Sequence, residues 1–480
     1  MITSVATELN KKEEGMNQHA SVAILPLVNM SAGLEQEYFS DGISEDIIDA
    51  LTGIEGIKLI SRGSSFGLKD QKMSIPEVGT YFNVEFVVSG TLRRIGSKVR
   101  MRIYLHNAET EEEIWSQSYD QKIADIFDIE EDIVDSLCKN LLDEKGYGKL
   151  KKPVFVPATR NFKAFDHYLQ GLFFHNKWSL QDLSKAVTCY ERAIKKEPDY
   201  ALAYSMMSNA YTRLSFAGGY TRPVKSYEEA KVAANKSIEI DPDYYRSYIA
   251  LSYVYLYQKY DWEQALMMVN KALKLHEMST KAMVAKSLYY TIKGNFVESR
   301  KLLKSALERD PLSFMAKRAQ ADNYFLEGKY DTAIKLYDEL IELDPYHEKV
   351  LEYKGWAVVM QGKLDEAIEM FKSIDMQTAL ALKSFSQLGY AYAIKGDRVN
   401  AEKYLTEIER SSVINKGLTY ALDFAVIFTG LGMFDRAMDH LEEAVDNKRS
   451  AIIFLKVNPI WDPMRGHPRF KELLKRLRLN

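Results

Sequence analysis

Cysteine is nearly absent: 480 residues carry two, Cys138 and Cys189. Both stand among apolar residues in helical patterns. A disulfide framework is excluded, and so is a zinc spacing of cysteines and histidines. Buried thiols of a reducing compartment are expected. Proline is scarce, with 12 residues. No stretch approaches about 20 consecutive apolar residues, which excludes a transmembrane helix. The opening MITSVATELNKKEEGMNQHA lacks the apolar run of a signal peptide, so a cytoplasmic location is expected. Charge of one sign is missing too. Lys and Arg number 64 against 67 Asp and Glu, and the net charge is −3. No global field draws this chain to nucleic acid or anionic lipid, so neither direct nucleic-acid binding nor membrane association is expected.

Phosphate-binding and nucleophile motifs are lacking as well. No GxxxxGK[ST], GxGxxG or GxSxG occurs. The eight histidines are scattered; His167 and His175 are eight apart, whereas a metal pair prefers i, i+4. The stretch EQEYFSDGISEDIID (35–49) concentrates Glu35, Glu37, Asp41, Glu45, Asp46 and Asp49. Ile43, Ile47, Ile48, Leu51 and Ile54 form an apolar stripe there, which leaves the acids for a solvated helix face with Ser40 or Asp41 as cap. A metal held by Glu45 and Asp49 is the lesser reading. Arg93, Arg94, Lys98, Arg100 and Arg102 form a basic hairpin, with Glu109, Glu111, Glu112 and Glu113 as neutralising partners. No catalytic, cofactor-binding or metal-binding residues are assigned, and no enzymatic activity is expected.

What is present is a repeat. GNFVES, GKYDTA, GKLDEA, GDRVNA and GMFDRA begin at 294, 328, 362, 396 and 432, a period of 34 with one step of 36. Pro311 and Pro345 keep the same beat. The period fits two amphipathic helices per unit. Glycine permits the turn, a small alanine permits close approach, and proline ends the second helix. One pair cannot bury its apolar faces alone, so pairs stack. Tyr324, Gly328, Tyr330, Ala333, Tyr337 and Pro345 stand where tetratricopeptide (TPR) repeats have their signature. The segment therefore resembles that family, with about eight helix pairs over 161–447. Tyr260 stands where the third unit should have its turn glycine. Residues 448–480, ending in GHPRFKELLKRLRLN, read as a capping segment.

Residues 21–143 follow another pattern, in the order β-α-β-α-β-β-β-α. SVAILPLV and GIKLIS are strands. Ser74 caps a short helix with Pro76 in its first turn. A hairpin turns at Ile95–Gly96, with Val99, Met101, Ile103 and Leu105 facing inward. Ile126, Ile129, Ile133, Leu137 and Leu141 line one face of a closing helix. The segments VAILPLVNMSAGLEQEYFSDGISEDIIDAL, SGTLRRIGSKVRMRIYL and IWSQSYD resemble the domain shared with the amino-terminal part of TolB. The resemblance implies an α+β domain with a mixed sheet, which precedes TPR units in bacterial signalling proteins. There it follows a class III nucleotide cyclase domain or a winged helix, as in CadC-like regulators. Twenty residues precede Ser21, too few for either effector. Residues 1–20 are expected as a disordered arm and 144–160 as a linker to an all-α TPR superhelix.

The resemblance implies a partner protein or peptide in the groove formed by the first helices of the pairs. The residues it places there are Tyr168, His175, Asn209, Arg213, Tyr257, Lys281, Arg318, Asp322, Trp356 and Tyr390. Asn209 and Arg213 match half of a carboxylate clamp, but Ala250 and Val254 occupy the matching places one unit later. The function expected is a non-enzymatic scaffold in bacterial signalling or transcription regulation. The alternative is the sensor or regulatory part of a nucleotide-cyclase or transcription-regulator system whose effector domain is missing or supplied in trans. Oligomeric state and partner identity are not legible.

Overall fold

A computed structural model describes residues 19–479 except 32–35, 53, 70, 147–156, 178, 218–223, 312, 344–347, 378–383 and 415–419. The expected amino-terminal arm, most of the expected linker and Pro345 therefore lie outside the described residues. The chain divides into two compact units. The first holds residues 1–177, the sheet domain and the helix that follows it, together with 185–203 and 307–313; the second holds 178–184, 204–306 and 314–480.

In the first unit, β1 (Ala20–Ile24) pairs in parallel with β3 (Ile57–Leu59) and β4 (Phe86–Ile95). The two-residue β2 (Val28–Asn29) also runs parallel to β4. β4, β5 (Lys98–Asn107) and β6 (Glu113–Lys122) form an antiparallel meander, giving the order β3-β1-β4-β5-β6. Gly96, at φ +57°, makes the tight turn between β4 and β5. The alternation read in β5 holds: Val99, Met101, Ile103 and Leu105 are fully buried. They share a face with Tyr119, whose hydroxyl donates to Asp132 Oδ2 at 2.6 Å on α4 (Ile126–Glu144). On the opposite face, Ala23, Val87 and Ala108 pack with Val78 and Phe82 of α3 (Ile75–Phe82). Ser74 caps α3 as expected, its backbone N–H donating to the Glu77 carboxylate at 2.7 Å. A five-residue α2 (Arg62–Phe66) was not foreseen.

The acidic stretch forms α1 (Glu37–Leu51), but two expectations for it fail. The helix starts at Glu37, so Ser40 lies inside it and donates to Glu37 O at 3.1 Å instead of capping. Nor are the acids all solvated. Glu45 is buried and bonds Arg62 Nε at 2.5 Å, while Asp41 and Glu37 take Lys69 Nζ at 2.6 and 2.8 Å. The cause is α5 (Phe162–His175), the first helix of the first pair, which packs on α1 so closely that a Cβ on Gly42 would sit 2.5 Å from Leu169 Cδ2. Asp166 of α5 also accepts from Tyr38 and Arg94, each at 2.8 Å.

Helix pairs follow along the chain, as the period implies. α6 (Leu180–Lys196) completes the first pair, and α7 (Ala201–Ala217) with α8 (Val224–Ile240) forms the second. The third is α9 (Tyr245–Val254) with α10 (Trp262–Leu275); the fourth is α11 (Thr280–Lys293) with α12 (Phe296–Arg309). Then come α13 (Phe314–Leu326) with α14 (Tyr330–Leu343), and α15 (Glu348–Met360) with α16 (Leu364–Gln377). The last two are α17 (Phe385–Lys395) with α18 (Arg398–Ile414), and α19 (Ala421–Gly430) with α20 (Phe434–Asp446). Gly294, Gly328, Gly362, Gly396 and Gly432 all have φ between +70° and +88°, where a side chain is strained. Within the pairs, glycine brings helices together: a Cβ on Gly355 would sit 2.4 Å from Phe371 Cε1.

After α20 come two 3₁₀ turns, Ser450–Phe454 and Pro459–Met464, then α21 (Pro468–Arg476). This segment does more than cover the eighth pair. Trp262 Nε1 of the third pair donates to Leu477 O at 2.7 Å, and Lys293 Nζ of the fourth donates to Arg478 O at 2.9 Å. Trp461, Met464, Phe470, Leu477 and Leu479 are buried in one apolar cluster with Leu256, Trp262, Phe325 and Phe428. The end of the second unit is thereby tied to its third and fourth pairs.

Candidate functional site

Side chains from the first helices of several pairs meet in a polar and aromatic lining of the second unit. α13 supplies Arg318 and Asp322, one turn apart, with Nε 4.0 Å from Oδ2. The Tyr337 hydroxyl of α14 donates to Asp322 Oδ1 at 2.8 Å. Gln387 Nε2 of α17 donates to Glu352 Oε1 of α15 at 3.1 Å. Its neighbour Ser386 donates to Asp423 Oδ1 of α19 at 2.9 Å, and Arg449 lies 3.9 Å from Asp423 Oδ2. On α9 and the turn that follows it, the Tyr253 and Tyr257 rings lie 6.3 Å apart. Arg213 and Arg318 act on the Tyr253 phenol, and Arg318 and Asp322 on that of Tyr257.

Burial sets the protonation of this lining. It raises the Asp322 carboxyl above its ordinary range, against the opposing pull of Arg318 and of the Tyr337 bond. It likewise raises Asp423 against Arg449. The phenols of Tyr253, Tyr257, Tyr337 and Tyr353 are all pushed up by burial and stay neutral at physiological pH. The half-buried Tyr253, Tyr257 and Tyr353 therefore offer neutral phenol donors, Asp322, Glu352 and Asp423 offer acceptors, and Arg318 offers a guanidinium fork. These groups suit the alternating donors and acceptors of a polypeptide backbone. Among the described residues, no three His, Cys, Asp or Glu side chains stand together as metal ligands.

The residues singled out in the sequence fall in three groups. Arg213, Tyr257, Arg318 and Asp322 join the lining. Asn209 is half-buried on α7, and Lys281 is exposed on α11. Tyr168, His175, Trp356 and Tyr390 are buried, at 2, 1, 5 and 4% exposure, which corrects their reading as exposed contact residues. Tyr168 packs on Tyr190 and Tyr200, and His175 Nδ1 lies 3.4 Å from the Tyr190 hydroxyl. Trp356 packs edge-to-face on Tyr390 and Phe371, with centroids 5.4 and 5.8 Å away. Substituting these rings removes core rather than contact surface.

Tyr253, Tyr337, Glu352, Tyr353, Gln387 and Asp423 were missed. A signal existed. Arg318, Glu352 and Ser386 are spaced at the 34-residue period, as are Tyr353 and Gln387, so polar residues recur at one phase of the first helix. Trp356 and Tyr390 follow Asp322 at the same period, but there the repeat turns inward.

The basic hairpin is also corrected. Arg100 pairs with Asp120 across the strands at 2.5 Å, so a partner on β6 neutralises it rather than the glutamate run. No described helix is long and apolar enough to cross a membrane.

Tetratricopeptide repeat models match residues 293–348 and 324–383. A putative adenylate cyclase 3 of Rhizobium meliloti is 35% identical over 121 residues, which are 25% of this chain and 21% of that protein. The chain thus spans about a fifth of the curated relative it matches. A TPR protein of Thermus thermophilus is 21% identical, over 41% of this chain and 99% of its own, with a TM-score of 0.36. One from Parabacteroides merdae is 19% identical over 57% and 99%, with a TM-score of 0.39. The human IFIT1 dimer with m7Gppp-AAAA is 15% identical over 74% and 78%, with a TM-score of 0.47. Residues 293–383 carry tetratricopeptide repeats, and the fold is a mixed-sheet region followed by a TPR-like superhelix of helix pairs.

Proposed function

We propose that this chain is a non-catalytic scaffold of a bacterial signalling or regulatory pathway, working in the cytoplasm. It holds an extended segment of a partner protein on the lining built around Arg318, Asp322, Glu352 and Tyr353. The observation that supports this is the recurrence of half-buried polar side chains, Arg318, Asp322, Glu352 and Asp423, on the first helices α13, α15 and α19, braced by Tyr337, Gln387 and Ser386. A segment lying across them gains main-chain hydrogen bonds from several pairs at once, while Tyr253, Tyr257 and Tyr353 supply contact area. The test is selection of peptides from a random library on the purified chain, then titration of the selected peptides against Arg318→Ala and Glu352→Ala. Each substitution should weaken binding about tenfold or more, the loss of a charge-assisted hydrogen bond. Unchanged affinity in both variants, with melting curves intact, would sink the proposal.

A second reading rests on the cyclase relative. In it, the chain is the regulatory part of a nucleotide-cyclase or transcription-regulator system whose effector is a separate chain. The 35% identity over 121 residues is its support. Adding the purified chain to a class III cyclase and measuring cyclic nucleotide output tests it. An output that ignores saturating amounts of the chain counts against this reading.

A further inference from the structure

The turn of the third helix pair departs from the others in a way the repeat does not require. Tyr255–Lys259 close as a π turn, with Asp261 N–H donating to Tyr255 O at 3.0 Å. Tyr260 then adopts φ +51°, where the turns of the fourth to eighth pairs have glycine. Lys448 follows α20 at φ +55°, and Arg478 follows α21 at φ +54°. Each of these two ends its helix with the backbone bonds of a glycine-type C-cap: Arg449 N–H donates to Ala444 O, and Leu479 N–H to Leu474 O. Among the described residues, five non-glycine residues have positive φ, and three of them line one cavity.

That cavity, about 260 Å³, is bounded by Lys259, Tyr260, Asp261, Lys448, Arg476 and Arg478 among others. Four cations face one carboxylate, Asp261, whose side chain already accepts from Gln264 N–H at 3.1 Å. Arg476 is held from behind by Asp446, and Lys259 by Glu228 at 3.3 Å. Among the described residues, Lys448 and Arg478 have no carboxylate in ion-pair reach; the Lys448 ammonium lies 4.4 Å from the Tyr260 ring centroid. Burial and the nearby Arg476 lower the Lys448 pKa. Tyr260 is 7% exposed, and its buried hydroxyl has no hydrogen-bond partner among the described residues.

Basic residues do complement helix C-termini, which carry partial negative charge. That role needs side chains within the last turn. It does not need them in the left-handed position, which glycine takes without strain. Backbone strain maintained at three converging sites, with crowded cations and an unsatisfied hydroxyl, is the pattern of a ligand site.

We propose that this cavity binds a phosphoryl group carried by a small molecule. Lys448, Arg476 and Arg478 supply charge and donors to its oxygens, and Tyr260 donates its hydroxyl. A volume of about 260 Å³ takes a phosphate with a short ester substituent. Because the walls come from the third pair, α20 and α21, an occupant bridges the closure between the chain's end and its third repeat.

The experiment uses the full chain. Melting temperature and calorimetric titration are followed with inorganic phosphate, glycerol phosphate and a blocked phosphoserine amide, against chloride at equal ionic strength. Saturable stabilisation beyond that of chloride is expected. Lys448→Gly and Arg478→Gly relieve backbone strain, so each should melt higher than the parent without phosphate. Each should also bind phosphate about tenfold more weakly, the loss of one charged contact. Tyr260→Phe should keep the fold and bind more weakly, and it carries the test where a glycine variant fails to fold. Tighter binding of glycerol phosphate than of the phosphoserine amide supports a small-molecule source. The reverse order overturns that source in favour of a modified protein. Stabilisation equal to that of chloride, or unchanged phosphate affinity in all three variants, overturns the site.

Discussion

Trp262 is the most informative place to perturb the closure of the helix pairs. Its indole N–H donates to Leu477 O at 2.7 Å, across 215 residues of sequence, and both residues are buried. In Trp262→Phe the carbonyl of Leu477 loses its partner. A buried acceptor left unsatisfied costs about 1–3 kcal/mol. The smaller ring also forfeits packing against the apolar cluster, about 1 kcal/mol more by analogy with a trimmed core side chain. The Lys293 ammonium, 5.8 Å from the indole centroid, keeps only a weaker cation–π contact with a phenyl ring, a loss of less than about 1 kcal/mol. The expected sum is about 2–5 kcal/mol, felt first where the chain's end meets the third pair. Urea unfolding should show an earlier midpoint. Hydrogen exchange should show residues 468–479 losing protection together with 256–262, while α15–α18 keep theirs. An open stack of repeats couples only neighbours, whereas this bond couples the third pair to the segment after the eighth. A midpoint shift below about 0.5 kcal/mol, the noise of a surface substitution, would refute the closure as a stabilising contact. So would unchanged exchange in 468–479.

Three further outcomes are expected. Glu130 is 2% exposed on α4, and burial, then the charge of Asp46, raises its carboxyl well above 4.5. Its contribution is fully present below its unfolded pKa and is lost as pH rises toward the folded one, at about 1.4 kcal/mol per pH unit between them. Glu130→Gln should therefore flatten the pH dependence of stability and make the protein more stable than the parent at pH 8, as read by urea unfolding at pH 5 and pH 8. In Gly90→Ala the new Cβ would meet Arg102 O of the paired strand at 2.4 Å, a backbone atom that cannot yield alone. The substitution should cost about 1–3 kcal/mol, measurable by thermal unfolding; no loss would mean that β4 and β5 have room the structure does not show. Tyr337→Phe removes the donor to Asp322 and should destabilise by about 1.5–3 kcal/mol, the range for a bond to a charged group. It should also move the Asp322 titration further upward, a shift that carboxylate NMR would detect.

Much of the fold was legible because its signals are local. The turn glycines declare their left-handed angles by their spacing, and the strict alternation of Val99, Met101, Ile103 and Leu105 assigns a face to β5 before any partner is known. Capping by Ser74 and Glu77 needs only four consecutive residues. The failures share another cause. Glu45 looked solvated because nothing in its own helix reveals that Arg62 and α5 cover it. Trp356 and Tyr390 looked available because a first-helix aromatic reads alike whether it points into the groove or into the next pair.

By itself, the sequence determined the kind of element at each place, the 34-residue period and the division between a sheet domain and helix pairs, because backbone propensity and hydrophobic rhythm act over a few residues. The tertiary structure alone decided which polar residues meet. Gln387 meets Glu352, Ser386 meets Asp423, and Trp262 finds Leu477, only after stacking has brought distant turns of chain into hydrogen-bond reach. That juxtaposition depends on the summed rotation from pair to pair, a quantity carried by packing angles that no short window of residues encodes.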